Sequence, residues 1–261
     1  PAMLGYCVTP EFYYFDGIDG DYEVMAVSTY PVPGFEFMPR PYSAAYLVAM
    51  EGETDSKKPT SRSGVFSDYN SLNGWATDIK KLGSQYTGML AGDNYIDGLL
   101  MMIEFGTKDT QTVIMGACSL PYDNNHVALA AETGVNRILL TKAQAAGYVV
   151  GQTVSLDSNN YYSEGVAKNR IITKIEDKST DHTYISFDGA AVDIPEGCHI
   201  GSRPWVNGAA DVVAASSGST VDNTSGKYPF IYRGKENPYA NAWVNVADVL
   251  ATREGSEGNY K

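Results

Sequence analysis

The chain has little of what most enzymes and nucleic-acid-binding proteins are built with. Its 261 residues include three cysteines and three histidines. Cys7, Cys118 and Cys198 stand at wide, unrelated spacings, which excludes a zinc-binding module and a disulfide framework. Free thiols in a reducing compartment are the simplest account, with a Cys118–Cys198 bridge left open. His126, His182 and His199 are scattered, with no helical His pair and no carboxylate at ligand spacing, so neither a metal nor a catalytic histidine is expected. There is no Gly-x-Ser-x-Gly elbow and no phosphate-cradling glycine loop, so no catalytic residue and no cofactor is expected either. Positive charge is scarce, 19 Lys and Arg against 31 Asp and Glu for a net charge of −12, which excludes a phosphate-tracking surface and a nucleic-acid partner. The longest strongly apolar run, Leu99 to Ile103, is far too short to cross a bilayer, and no membrane insertion is expected. The first residue is Pro1, so the chain is expected to be a processed product or an excised fragment.

What is present reads as an α+β chain. Val8 to Phe15 and Tyr22 to Ser28 are strand-like runs joined by Asp16-Gly-Ile-Asp-Gly-Asp21, a hairpin with a longer loop. That loop lacks the spacing and terminal Glu of a calcium-binding loop and reads as a solvated turn. Prolines 31, 33, 39 and 41 break the following stretch, and Ser43 to Met50 resumes as a strand. Two helical patterns come next. Leu72, Trp75, Ile79 and Leu82 fall on one face, ended by Gly83, while Tyr95, Leu99, Met102 and Ile103 mark a second helix capped by Asp93 or Asn94 and ended by Gly106.

Between about 127 and 202 the texture changes. Asn136–Thr141, Thr153–Leu156, Asn169–Ile175, Thr183–Phe187 and Ala190–Ile194 are short β-prone runs separated by Gly, Asn, Asp and Ser clusters. That rhythm predicts a small antiparallel barrel or sandwich. The segment from Gly208 to Lys227 reads as a long connecting loop.

The C-terminal stretch from Tyr228 to Leu250 concentrates aromatic residues, the Asn237-Pro238 turn and a run with Val at alternate places. Within it, Ala240-Asn-Ala-Trp-Val-Asn-Val246 resembles the Gly-Asn-Val-Trp-Glu-Trp-Val signature of the formylglycine-generating-enzyme branch of the C-type lectin-like fold. Tyr232 to Tyr239 is similar to the version found in phage and prophage tail proteins. Ile103 to Gly116 resembles the exit of the second helix in those proteins. Ala240 stands where that signature has Gly, and Asn245 where it has its second Trp.

The resemblance implies a C-type lectin-like domain of two helices and a mixed, mostly antiparallel sheet, made of residues 1–126 and 203–261, with 127–202 as an inserted β-rich subdomain; a separate C-terminal domain beginning near Val127 is the competing reading. It implies a core containing Trp75, Leu99, Ile103, Trp243 and Val246. No cysteine follows Cys198, so the oxidase activity of the formylglycine-generating branch is not carried over. Glu236-Asn-Pro238 and Trp243-Val-Asn245 do not reproduce the calcium-ligating triplets of sugar-binding C-type lectins.

A binding surface remains. Tyr outnumbers Phe, 19 to 8, and Asn, Ser and Gly are plentiful, the vocabulary of adaptable recognition. Tyr228, Tyr232, Arg233, Tyr239, Asn241 and Asn245 gather around the signature and are the expected ligand-binding residues. The resemblance then implies a non-catalytic receptor-binding protein of a phage tail or virion, made in the bacterial host cytoplasm and of the kind diversified by retroelements. Its expected partners are a host-surface glycan or protein, other virion proteins and further copies of itself. A structural virion component and a degenerate formylglycine-generating-type enzyme are the alternatives.

Overall fold

The computed structural model describes residues 5–40, 42–54, 56–118, 126–158, 165–211, 223–242, 244, 246 and 247. It is a mixed α+β fold, mostly strands in antiparallel sheets with few helices. The N-terminal strands are β1 (Tyr6–Val8), β2 (Phe12–Asp19), β3 (Tyr22–Ser28), β4 (Glu36–Met38), β5 (Tyr42–Ala44), β6 (Ala49–Glu51) and β7 (Lys58–Thr60). Helices α1 (Leu72–Ile79) and α2 (Ala91–Phe105) follow. Then come β8 (Glu132–Val135), β9 (Arg137–Thr141), the short α3 (Lys142–Ala145), β10 (Thr153–Asp157), β11 (Ala167–Asp177), β12 (His182–Phe187), β13 (Val192–Ile194) and β14 (His199–Ser202). The last pair is β15 (Ile231–Tyr232) and β16 (Lys235–Glu236).

The segment from β9 to β14 forms strands near the predicted runs, but Val192–Ile194 pairs with β8 outside the main sheet and His199–Ser202, not among those runs, takes an edge place. Its five-stranded antiparallel sheet runs β14-β10-β11-β12-β9. Ile138 and Leu140 of β9, Val154 and Leu156 of β10, Ala167 and Ile172 of β11, Ile185 and Phe187 of β12 and Ile200 of β14 meet in one buried cluster with Cys198. In β9, β10 and β12 these are alternate residues, the period-two pattern that a sheet with one face on a core requires. The stretch 126–129 bonds to both outer strands: Ala128 N–H donates to Cys198 C=O at 2.8 Å, and Leu129 N–H to Leu139 C=O at 3.0 Å. The two edges are thereby bridged, which leaves few open strand edges.

β10 is buried on both faces. Its second face is polar and satisfied by covering segments: Val206 N–H donates to Thr153 Oγ1 at 3.1 Å, Asn169 N–H to Ser155 Oγ at 3.1 Å, and Gly165 N–H to Asp157 Oδ2 at 3.1 Å. Buried polar side chains are tolerated when partnered in this way.

A second cluster lies outside that sheet. Phe12, Tyr14, Met25 and Met38 from the three-stranded sheet β3-β2-β4 pack on Ile96, Leu99, Leu100 and Met101 of α2, together with Phe230 and Tyr232. The two clusters share no member. Between them a third, small cluster surrounds Trp205, which is 0 % exposed. Gly151 has φ +91, and a Cβ there would stand 3.1 Å from the indole, so the close approach also favours glycine.

Several expectations change. The first hairpin is tighter than the Asp-Gly-rich loop implied: β2 continues to Asp19, and Gly20-Asp21 alone make the turn, with Gly20 at φ +62. A two-residue turn of that sign matches the strand twist and outcompetes a longer loop. Gly83 ends the first helix region as expected, closing the short 3-10 turn after it, and Ser71 Oγ caps its start by accepting from Gly74 N–H at 3.1 Å, yet the helix buries no residue. Trp75 is therefore half-buried rather than core, because this eight-residue helix rests against β7 instead of the central cluster. α2 starts at Ala91, so Asp93 sits one turn in and accepts from Leu90 N–H at 3.1 Å, and Gly106 closes the helix at φ +64. Leu99 is buried, Ile103 packs partly buried on the cluster and Val246 is half-buried. Trp243 lies outside the described residues. All three cysteines are free, Cys198 buried and Cys118 exposed, so no bridge joins them.

Leu99 has no exposed surface and sits where helix, sheet and C-terminal segment converge. Leu99→Ala is expected to destabilise the fold by about 2–5 kcal/mol, read as a fall in the urea midpoint at unchanged slope.

Candidate functional site

The residues expected to bind ligand are mostly occupied in holding the C-terminal hairpin. β15 and β16 are joined by Arg233 at φ +48 and Gly234 at φ +83, the two positive values a type I′ turn demands. Tyr232 is buried, and its hydroxyl donates to Glu104 Oε2 at 3.0 Å. Burial first, and then that carboxylate, push its pKa up. Arg233 is exposed but committed to the same carboxylate, with Nη2 at 3.0 Å from Glu104 Oε2. Tyr239 stacks on Phe230 at 4.7 Å, its hydroxyl donates to Ile114 C=O, and burial pushes its pKa up to about 12. Asn241 is buried and accepts from Trp205 N–H at 3.0 Å. Tyr228 packs half-buried near Trp205. Asn245 lies outside the described residues. The placement has one cause: aromatic rings and amides beside Pro and Gly turns serve a buried corner as well as they serve a recognition surface.

Two buried charges fix this hairpin. Lys235 Nζ lies 2.7 Å from both oxygens of Asp97, with both side chains mostly buried. Removing either partner would strand the other charge, typically a loss of ~3–5 kcal/mol. Glu236 accepts from Gly208 N–H at 2.9 Å and Ala210 N–H at 3.2 Å, while its own N–H donates to Ala45 C=O at 2.8 Å. Desolvation outweighs those donors and pushes the carboxyl up to about 7.

The exposed aromatic surface lies at the other end of the chain. Along β2, Phe12 and Tyr14 turn to α2, so Tyr13 and Phe15 turn away. Tyr13 lies 5.3 Å from Phe37, and Phe15 lies 5.7 Å from Phe35. Phe37 is 53 % exposed. β4 pairs with β2 only from Phe12 to Tyr14, whereas β3 pairs along Tyr13–Asp19. Pro33-Gly34 causes the early departure: Phe35 N–H donates to Val32 C=O at 3.0 Å with Gly34 at φ +84, as in a type II turn.

The notch left where β4 diverges is a cleft of about 190 Å³ lined by Tyr14, Phe15, Asp16, Gly34, Glu36 and Tyr95. Tyr14 donates to Glu36 Oε2 at 2.7 Å, and Tyr95 donates to Asp16 Oδ2 at 2.6 Å. The two phenol rings meet edge-on at 6.0 Å. Both phenols are pushed up in pKa, Tyr14 chiefly by its bond to Glu36 and Tyr95 chiefly by burial. The cleft thus offers aromatic walls and carboxylates held in place by hydroxyl donors. It offers no nucleophile–base pair, and no group of three or more metal-ligating side chains exists among the described residues.

Sequence reasoning missed this site although its signal is present. Phe12-Tyr-Tyr-Phe15 is a continuous aromatic run followed by Asp16, and Phe35-Glu-Phe37 alternates aromatic residues about Glu36. Comparisons with protein families, curated proteins and solved structures gave no match.

Two predictions follow from the hairpin. Ala240 holds φ +66, a conformation that costs an L-residue roughly 1 kcal/mol, so Ala240→Gly is expected to raise stability by about 0.5–1 kcal/mol in urea titrations. Because the native pKa of Glu236 stands above the ordinary 4.5, its contribution is complete below about 4.5 and is lost as pH rises through about 7. Relative to wild type, Glu236→Gln should therefore gain up to ~3 kcal/mol between pH 4.5 and pH 8, measured by parallel unfolding at the two values.

Proposed function

We propose that the chain is a non-catalytic attachment component of a phage tail or virion, which holds a host-surface glycan or protein at the outer face of β2–β4 and the adjoining cleft. The observation that carries this reading is the run of rings on that face, Tyr13, Phe15, Phe35 and Phe37, packed against each other instead of a core. A monomeric surface rarely spends several aromatic side chains in one patch without a partner. Stacking against the apolar faces of sugar rings and hydrogen bonding by nearby carboxylates and hydroxyls would supply affinity, multiplied by several copies per particle.

In this reading residues 1–126 and 203–261 form a C-type lectin-like domain interrupted by a small barrel at 127–202. What supports it is the order hairpin, helices, inserted sheet and closing hairpin, with β2, α2 and β15 sharing a cluster that the inserted strands do not enter. A second reading, a structural virion component, is favoured by β3, whose outer edge pairs with no strand among the described residues.

Purified chain applied to immobilised bacterial wall polysaccharides and lipopolysaccharides distinguishes the two. Attachment predicts selective retention on a subset, weakened about tenfold by Phe37→Ala at unchanged melting temperature. A structural component is retained on none, and that result overturns the proposal.

A further inference from the structure

Some carboxylates of this acidic chain sit in ion pairs. Glu23 pairs with Lys108, Glu51 with Arg62, Glu132 with Arg137 and Asp177 with Lys142. Asp16 and Glu36 differ: no Lys or Arg forms an ion pair with either among the described residues, although they flank one cleft. Each is held by a single phenol, Tyr95 on Asp16 Oδ2 and Tyr14 on Glu36 Oε2. A phenol O–H orients a carboxylate without cancelling its charge. The register makes the placement deliberate: Tyr14 stands opposite Glu36, and Asp16 is the next residue of β2 on that face. Tyr14 and Tyr95 supply ring surface beside the charges.

Two uncompensated negative charges walled by aromatic rings are the chemistry that receives an ammonium group, through charge-assisted hydrogen bonds and the electron-rich ring faces. We propose that the cleft binds a saccharide carrying a free primary amine, with the ammonium between Asp16 and Glu36 and the sugar's apolar face against the rings. A volume near 190 Å³ suits one sugar residue rather than an extended chain. This deepens the attachment reading above and rests on it, since it names the ligand class at the same surface.

The test uses the whole chain, with β-1,4-linked glucosamine tetrasaccharide and its fully N-acetylated counterpart as probes at pH 6, by calorimetry. Binding of the free-amine oligomer is expected at least tenfold tighter than that of the acetylated one, falling with added salt. Asp16→Asn with Glu36→Gln keeps an acceptor for each phenol and should abolish that preference. Adhesion of a polycation to the overall charge of −12 would survive the loss of two charges nearly unchanged. On the unsubstituted chain, the amide resonance of Gly34 should shift on titration with the free-amine oligomer. Equal affinity for the two oligomers, a preference that survives the double substitution, or an unmoved Gly34 overturns the proposal. If neither oligomer binds while immobilised wall polysaccharide is still retained through Phe37, the amine specificity fails and attachment stands; if retention is absent as well, both fail.

Discussion

The Lys235–Asp97 ion pair is the constraint on which the larger N- and C-terminal arrangement turns. A buried pair of opposite charges cannot be parted without leaving one in a low-dielectric environment, so α2 and the β15–β16 turn must stay together. Once they do, the neighbouring residues have fixed tasks. Glu236 reaches the backbone of Gly208 and Ala210, Tyr232 and Arg233 reach Glu104, and Gly234 passes close to Cys7, whose Sγ would lie 3.0 Å from a Cβ at that position. The hairpin thus ties the first strand, the long helix and the segment leaving the five-stranded sheet into one body. Phe12, Leu99 and Phe230 then close over a shared apolar interior.

That body determines which surfaces of the β2–β4 sheet stay open. Because α2 covers one face of β2–β4, only the opposite face and the notch beside the Pro33-Gly34 turn stay accessible. Rings that would have filled a core on a two-sided sheet therefore meet solvent, and the carboxylates at Asp16 and Glu36 lie at the boundary between packed and open surface. The tyrosines there are amphipathic in the useful sense: their rings pack while their hydroxyls orient charge.

How much of this was readable from the chain depended on whether a pattern was local. Most strands from Arg137 to Ile194 were legible because short β-prone runs lie between strong turn formers, whereas strand order, and the edge place of His199–Ser202, are set by tertiary pairing. The end of α2 at Gly106 was legible for the same reason. Three things were not. Trp205 has no periodic neighbours, and its burial comes from Gly151 and Asn241, both distant in sequence. Trp75 has the right spacing on a helix too short and too peripheral to use it. Tyr232, Tyr239 and Asn241 have the composition of a binding surface, but the partners that bury them, Glu104, Ile114 and Trp205, are fixed only by tertiary contact. The aromatic cleft went unread because its residues form a site only where β4 stops pairing, a feature of register rather than of composition.

The bridge between Val127 and His199, with Ile200 N–H donating to His126 C=O at 3.0 Å, places the way into the β-rich segment beside the way out. A chain that departs and returns at the same point imposes almost no geometric demand on the rest of the molecule. The loops between those two points can lengthen or shrink at a loop-closure cost that grows only logarithmically with length, while Gly151 and Thr153 stay tied to Trp205 and Val206. Variation there is thus mechanically decoupled from the aromatic face, and the two parts of the chain are free to change at different rates.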